Sequence, residues 1–174
     1  MTAPALAPLH DLIPTGPFSD QLDSVHVLYD VAYLEERRKA GMSLSAPDRA
    51  HLFALLKSFG GDPGGAQRKH RRLPLMLAAV IKVGTRLGRA TLLNMSAGGF
   101  FLAASIQAHE GDPVLLKVGD PAGGVQYSFP CKVLRARHER GANHLALAIS
   151  GIPLEVRYHR EERTGARLKR CANC

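Results

Sequence analysis

The chain has no tryptophan, only three cysteines among its 174 residues, and aromatics at 6%. Each shortage excludes something. The odd, sparse set of Cys131, Cys171 and Cys174 argues against a disulfide framework and reads as reduced thiols in a cytoplasmic protein. Scarce aromatics leave little with which to stack nucleic-acid bases. No run of about 18 apolar residues occurs, so no membrane insertion is expected. The opening Met1-Thr-Ala-Pro-Ala-Leu-Ala-Pro8 lacks a basic start and places prolines where a signal peptide needs an apolar core. Acid is also missing locally: from Pro63 to His109 there is no Asp or Glu.

What is present fits a folded, basic domain. Apolar residues make up 45% of the chain, enough for a core. The formal charge is +8 and the pI near 9.8, which favours an anionic partner. The acid-free stretch carries Arg68, Lys69, Arg71, Arg72, Lys82, Arg86 and Arg89, so the positive field has a place.

Periodicity divides the chain. Residues 1–18 carry four prolines and read as a loose arm. Ser19 is placed to cap a helix that runs to about Ala40 and stops at Gly41. Its apolar residues fall on two sides: Leu22, Val25, Leu28, Tyr29, Ala32 and Tyr33 on one, and Val27, Val31 and Leu34 on the other. Two stripes imply contacts on two sides. A second helix follows Ser45, with Asp48 completing a capping-box variant and Pro47 in the first turn. Its stripe is Leu52, Leu55, Leu56 and Phe59. The pair reads as a helical hairpin over residues 1–60 with the arm, followed by a glycine hinge over 61–65.

Beyond the hinge the period changes from 3.6 to 2. Strands are predicted over 75–83, 90–94, 99–104, 114–118, 125–137 and 144–149, with Gly- and Pro-rich turns between them. Pro130 inside the fifth run predicts an edge or a bulge there. Six short strands argue for a small antiparallel β-barrel over residues 66–152, with a C-terminal helix and tail over 153–174. The fold class is thus mainly β with α: a six-stranded antiparallel barrel, an N-terminal helical hairpin and a C-terminal helix.

Two segments carry the chemistry. Gln67-Arg-Lys-His-Arg-Arg72 puts guanidinium forks, which grip phosphate oxygens bidentately and stack on purines, just before the first strand. Asn94-Met-Ser-Ala-Gly-Gly99 offers an amide, a hydroxyl and backbone N–H groups where glycine permits close approach. Cations with small polar acceptors suit a guanine nucleotide. The spacing Arg-x-x-x-Arg before a strand, then Asn-x-Ser-x-x-Gly, resembles the signature of the PilZ family. Arg68 and Arg72 fit the first half; Asn94, Ser96 and Gly99 fit the second, with Asn at its first position.

That resemblance implies a six-stranded barrel that binds cyclic di-GMP, often as an intercalated pair, under a closing arginine loop. Lys69, Arg71 and Gly98 lie among the motif residues and are expected at the site. Gln67 occupies the position that the family links to ligand number. It also implies a receptor, not an enzyme: no Gly-x-Ser-x-Gly elbow surrounds Ser96. A lone Cys171-Ala-Asn-Cys174 falls short of four zinc ligands, and no metal is expected. His138 and His144 flank a turn and are expected to face solvent. Signalling then requires an unidentified protein partner, with a homodimer through the hairpin as a further option. Two alternatives stay open: a basic barrel binding RNA or DNA, which the signature reduces to non-specific attraction, and a structural adaptor acting through the hairpin.

Overall fold

A computed structural model describes residues 18–58, 72–120, 124–139 and 141–158. Two helices come first, α1 (Phe18–Lys39) and α2 (Ala46–Ser58). Seven strands follow: β1 (Leu73–Val83), β2 (Arg86–Ser96), β3 (Gly99–Ala104), β4 (Pro113–Asp120), β5 (Val125–Glu139), β6 (Ala142–Ile149) and β7 (Leu154–Arg157). The expected arm and glycine hinge lie outside the described residues.

Helix ends follow local chemistry. α1 closes on a Schellman motif: Met42 N–H donates to the Arg37 carbonyl and Gly41 N–H to that of Arg38, with Gly41 at φ 78°. α2 opens on the expected capping box, Asp48 N–H to Ser45 Oγ at 3.2 Å and Ser45 N–H to the Asp48 carboxylate at 3.3 Å. The Ser45 bonds hold the Asp48 carboxyl below its ordinary pKa. At the other end of α1 the helix already includes Phe18, so Ser19 lies inside the first turn and is not its cap.

The barrel strands alternate, with interruptions in β2 and β5. β1 buries Leu75, Leu77, Ala79, Ile81 and Val83 and exposes the residues between. All pairings are antiparallel in the order β4-β1-β2-β3-β6-β5, and a β4–β5 ladder closes the ring. A six-stranded ring leaves room only for side chains, and Phe129, Ile81, Leu92, Leu102, Leu116 and Leu145 fill it, all fully buried. The strands therefore match those read from sequence: β3 has the expected bounds, and the other five extend by a few residues at one or both ends.

Two further local readings are corrected. A helix starting at Pro153 is expected, but Leu154–Arg157 forms β7 instead, paired with Val125–Ser128 of β5. The cause is backbone supply: β6 covers β5 only from Cys131 to Glu139, leaving the N-terminal part of β5 with an open edge that β7 satisfies. Residues 159–170 of the expected helix lie outside the described residues. Pro130 makes neither an edge strand nor a bulge. It pairs with Leu115 on the β4 side, and on the other side it falls between the end of β6 and the start of β7. Its carbonyl accepts from Ser150 N–H there, so its missing N–H faces a gap between two ladders.

α1 makes the contacts on two sides that its stripes imply. Val31 is fully buried and Leu34 nearly so, in the same core cluster as Val25, Leu28 and the barrel interior. Both sides are therefore covered within the chain, with Val27 partly buried against the same cluster. α1 is tied to the barrel by aromatics. The Tyr29 ring lies 5.2 Å from Tyr127 and 6.5 Å, edge-on, from Phe129. His26 Nδ1 meets the Tyr127 hydroxyl at 2.8 Å, and Met76 N–H donates to Gln21 Oε1 at 3.3 Å. Burial raises the pKa of both Tyr29 and Tyr127, keeping their hydroxyls protonated at neutral pH.

Cys131 points into the core beside Phe129, and burial pushes its thiol up to about 12. A thiol without thiolate character is inert. In a Cys171→Ser/Cys174→Ser variant, Cys131 should resist a disulfide reagent at about pH 8 until denaturant opens the barrel. Because the folded pKa is raised, stability should be intact below the unfolded thiol value of about 8.5 and decline as pH rises above it. Prompt labelling of the native protein would refute this placement.

Candidate functional site

The second motif segment runs along the end of β2 into the turn before β3. Ala90 and Leu92 point into the barrel, and strict alternation would send Asn94 and Ser96 inward as well. A bulge prevents it. Leu92 pairs with Leu102 but Asn94 pairs with Phe101, so Leu93 is an extra residue in β2 relative to β3. The phase shifts by one: Met95 becomes the buried residue, and Asn94 and Ser96 are half-exposed on its two sides. The bulge turns two polar motif residues out of the core and onto one face.

The first motif segment arrives beside it through the β1–β2 ladder. Leu73 pairs with Met95 and Pro74 with Asn94, which brings Arg72 alongside Ser96. Arg72 is exposed, and among the described residues it makes no ion pair. Arg72, Asn94, Ser96, Gly98 and Gly99 then line one cleft of about 150 Å³. Five of the nine residues expected at the site are brought together there. Gln67, Arg68, Lys69 and Arg71 lie outside the described residues.

The two glycines differ. A Cβ on Gly99 would sit 1.9 Å from the Leu147 carbonyl oxygen, so β3 and β6 can pair this closely only with glycine there. A Cβ on Gly98 would meet nothing within 4 Å; it would project into open space. Gly99 serves the sheet and Gly98 keeps the cleft mouth clear.

An apolar wall faces the polar residues. Phe101 pairs with Asn94 on one side and Ala146 on the other, and Leu134 stands at a second bulge, in β5. Leu134 is 56% exposed and lines the cleft. Sequence reasoning missed Phe101, Leu134 and Ala146. Only cross-strand register identifies them, since each comes from a different strand. The Phe101 ring also stacks on His144 at 5.9 Å, so His144 is held against the sheet. His138 Nδ1 contacts Asn143 Oδ1 at 2.9 Å in the β5–β6 hairpin.

Chemically, the cleft offers one guanidinium, an amide, a hydroxyl and an apolar wall, with no carboxylate among its lining residues. Such a set is chemically suited to an anion and a flat, hydrogen-bonding base. It holds no nucleophile–base pair, and among the described residues no cluster of His, Cys, Asp or Glu could hold a metal. Among the described residues no helix is long and apolar enough to cross a membrane.

Fold and cleft together define a closed antiparallel barrel with a cationic, glycine-lined cleft at the β2–β3 turn. The PilZ domain matches residues 66–166, more than half of the chain, and the chain belongs to that family. PilZ domains are known as non-catalytic receptors for cyclic di-GMP. A comparison with curated proteins finds no match.

The glycine assignments make a paired test. Gly99→Ala should cost roughly 1–3 kcal/mol, because the methyl group is forced against backbone that cannot move freely. Gly98→Ala should leave thermal stability within about 0.5 kcal/mol of the parent. Equal effects in thermal denaturation would overturn the distinction.

Proposed function

We propose that this protein is a receptor that binds cyclic di-GMP and performs no chemistry on it. The observation that carries this reading is the convergence of Arg72, Asn94, Ser96, Gly98 and Gly99 on one cleft. Arg72 supplies the fork for a phosphate or the Hoogsteen edge of guanine. Asn94 and Ser96 supply short polar groups for base N–H and phosphate, and Phe101 and Leu134 cover the ring faces. The cleft is smaller than the roughly 300–1,000 Å³ usual for a drug-sized ligand. The remaining surface of the dinucleotide is assigned to Arg68, Arg71, Lys69 and Gln67, which precede β1 directly.

Calorimetry with cyclic di-GMP tests this, with GTP, cyclic GMP and single-stranded RNA as controls. Arg72→Ala removes a charge-assisted contact and should cost about 2–5 kcal/mol, at least tenfold in affinity, with the fold intact. Arg68→Ala should act in the same direction. Unchanged affinity in both variants would remove the assignment. RNA bound tightly in about 0.2 M salt without cyclic di-GMP binding would replace it with the nucleic-acid reading.

Relay to a partner protein is part of this proposal, and α1 is the element placed to report occupancy. Phe100 lines the cleft and packs edge-on against Phe129 at 4.9 Å; Phe129 in turn faces Tyr29 of α1. Ligand that shifts Phe100 therefore presses on the contact that docks the hairpin. A ligand biases such an equilibrium only by its differential affinity for the two arrangements. Hydrogen exchange should show protection in residues 62–72 and 94–99 on binding, with a second change in residues 18–58. Protection confined to the first two segments would mean that the hairpin is a passive cap.

A further inference from the structure

A second surface lies on the same strands, away from the cleft. In the β1–β2 and β1–β4 ladders, Val80 stands opposite both Arg89 and Lys117, and Lys82 stands opposite both Leu87 and Leu115. Directly opposed residues share a face of the sheet. Ile81, fully buried between the two rows, fixes that face as the outward one. Two adjacent rows across three strands thus read Lys-Val-Arg and Leu-Lys-Leu: three cations and three aliphatic side chains in a checkerboard.

The patch is open and unneutralised. Leu87 is 65% exposed and Val80 39%. Among the described residues, Lys82, Arg89 and Lys117 have no carboxylate within ion-pair distance, and the chain offers no acid between Pro63 and His109. Free surfaces ordinarily intersperse both signs and keep apolar groups scattered. Beside the patch, the row Ala78, Thr91 and Ala103 carries only small side chains. Val80, Arg89 and Lys117 also border a groove of about 500 Å³, whose lining continues to the buried Ala79, Ala90 and Ala104 and to Gln126 and Ala142 of β5 and β6.

We propose that this outward face of β4, β1 and β2 docks an acidic, amphipathic segment of a partner protein. Charge complementarity sets the sign of the segment, and the interleaved Val80, Leu87 and Leu115 require that its carboxylates alternate with aliphatic groups. A nucleic acid fits less well, because none of these side chains is aromatic and base stacking has no platform. A bilayer surface cannot follow a groove. The inference does not depend on cyclic di-GMP: the patch uses residues 80–89 and 115–117, the cleft residues 72 and 94–99.

The test is a titration of the isotope-labelled full chain with a synthetic peptide of alternating Glu and Leu, followed by amide shifts. Saturable shifts concentrated in 78–82, 87–91 and 115–117 are expected, weakening as salt is raised. Lys82→Glu combined with Arg89→Glu should reduce peptide affinity at least tenfold while cyclic di-GMP calorimetry is unchanged. Leu87→Ser should weaken the peptide as well, and without altering its salt dependence. Equal affinity for parent and double variant, or shifts scattered over every basic residue, would overturn the proposal. So would localised shifts on this face with single-stranded RNA or phosphatidylglycerol vesicles but none with the peptide.

Discussion

β5 is the strand on which the ring closes, and from Val125 to Lys132 it carries ladders on both edges. β4 takes one edge; β6 takes the C-terminal part of the other, and β7 the remainder. Removing the β4 ladder would open the ring and leave two long edges of unpaired N–H and C=O groups. The same strand places Phe129 at the centre of the core, buries Cys131 beside it, and presents Tyr127 at the end where α1 docks. Closure, core and hairpin docking therefore share one element.

The cleft follows from a departure from regularity within that closed ring. A barrel of unbroken alternation would bury every second residue of β2 without regard to polarity. The extra Leu93 shifts the phase so that a methionine goes in and an asparagine and a serine stay out. A second bulge in β5 leaves Leu134 standing at the other side of the same depression. Bulges bend strands and re-aim side chains, and here two of them shape one depression. The close approach of β3 to β6 at Gly99 completes it.

Electrostatics is distributed in the same economical way. The chain keeps acid out of the sequence that forms β1, β2 and β3, and the barrel spreads those cations over different faces. Arg72 stands at the cleft; Lys82 and Arg89 lie on the outward face with Lys117. Acidic residues gather on the helices, where Glu36 pairs with Lys39 at 2.6 Å and Glu35 with Arg38 at 3.7 Å. In both pairs the basic partner is exposed while the glutamate is largely covered, and the pairing offsets charge within the hairpin and leaves the barrel as the positive part.

Much was legible before any coordinates. Period-2 alternation located all six barrel strands because one face of each is buried and the other wet. Ser45 and Asp48 marked the start of α2, and Gly41 the end of α1, because caps are local chemistry. The polar residues of the motif halves could be named for the same reason: residue type sets what a side chain can bind. Tertiary structure alone decided the rest. Leu154–Arg157 became a strand because β5 had an edge to fill, a demand that arises across the sheet and not within the segment. The two stripes of α1 told that both sides make contacts, but a helical wheel does not show what covers them, and it is the chain's own core that does. Whether Asn94 and Ser96 faced the core or the cleft hung on one inserted residue, Leu93, and register is a relation between strands that no single strand encodes.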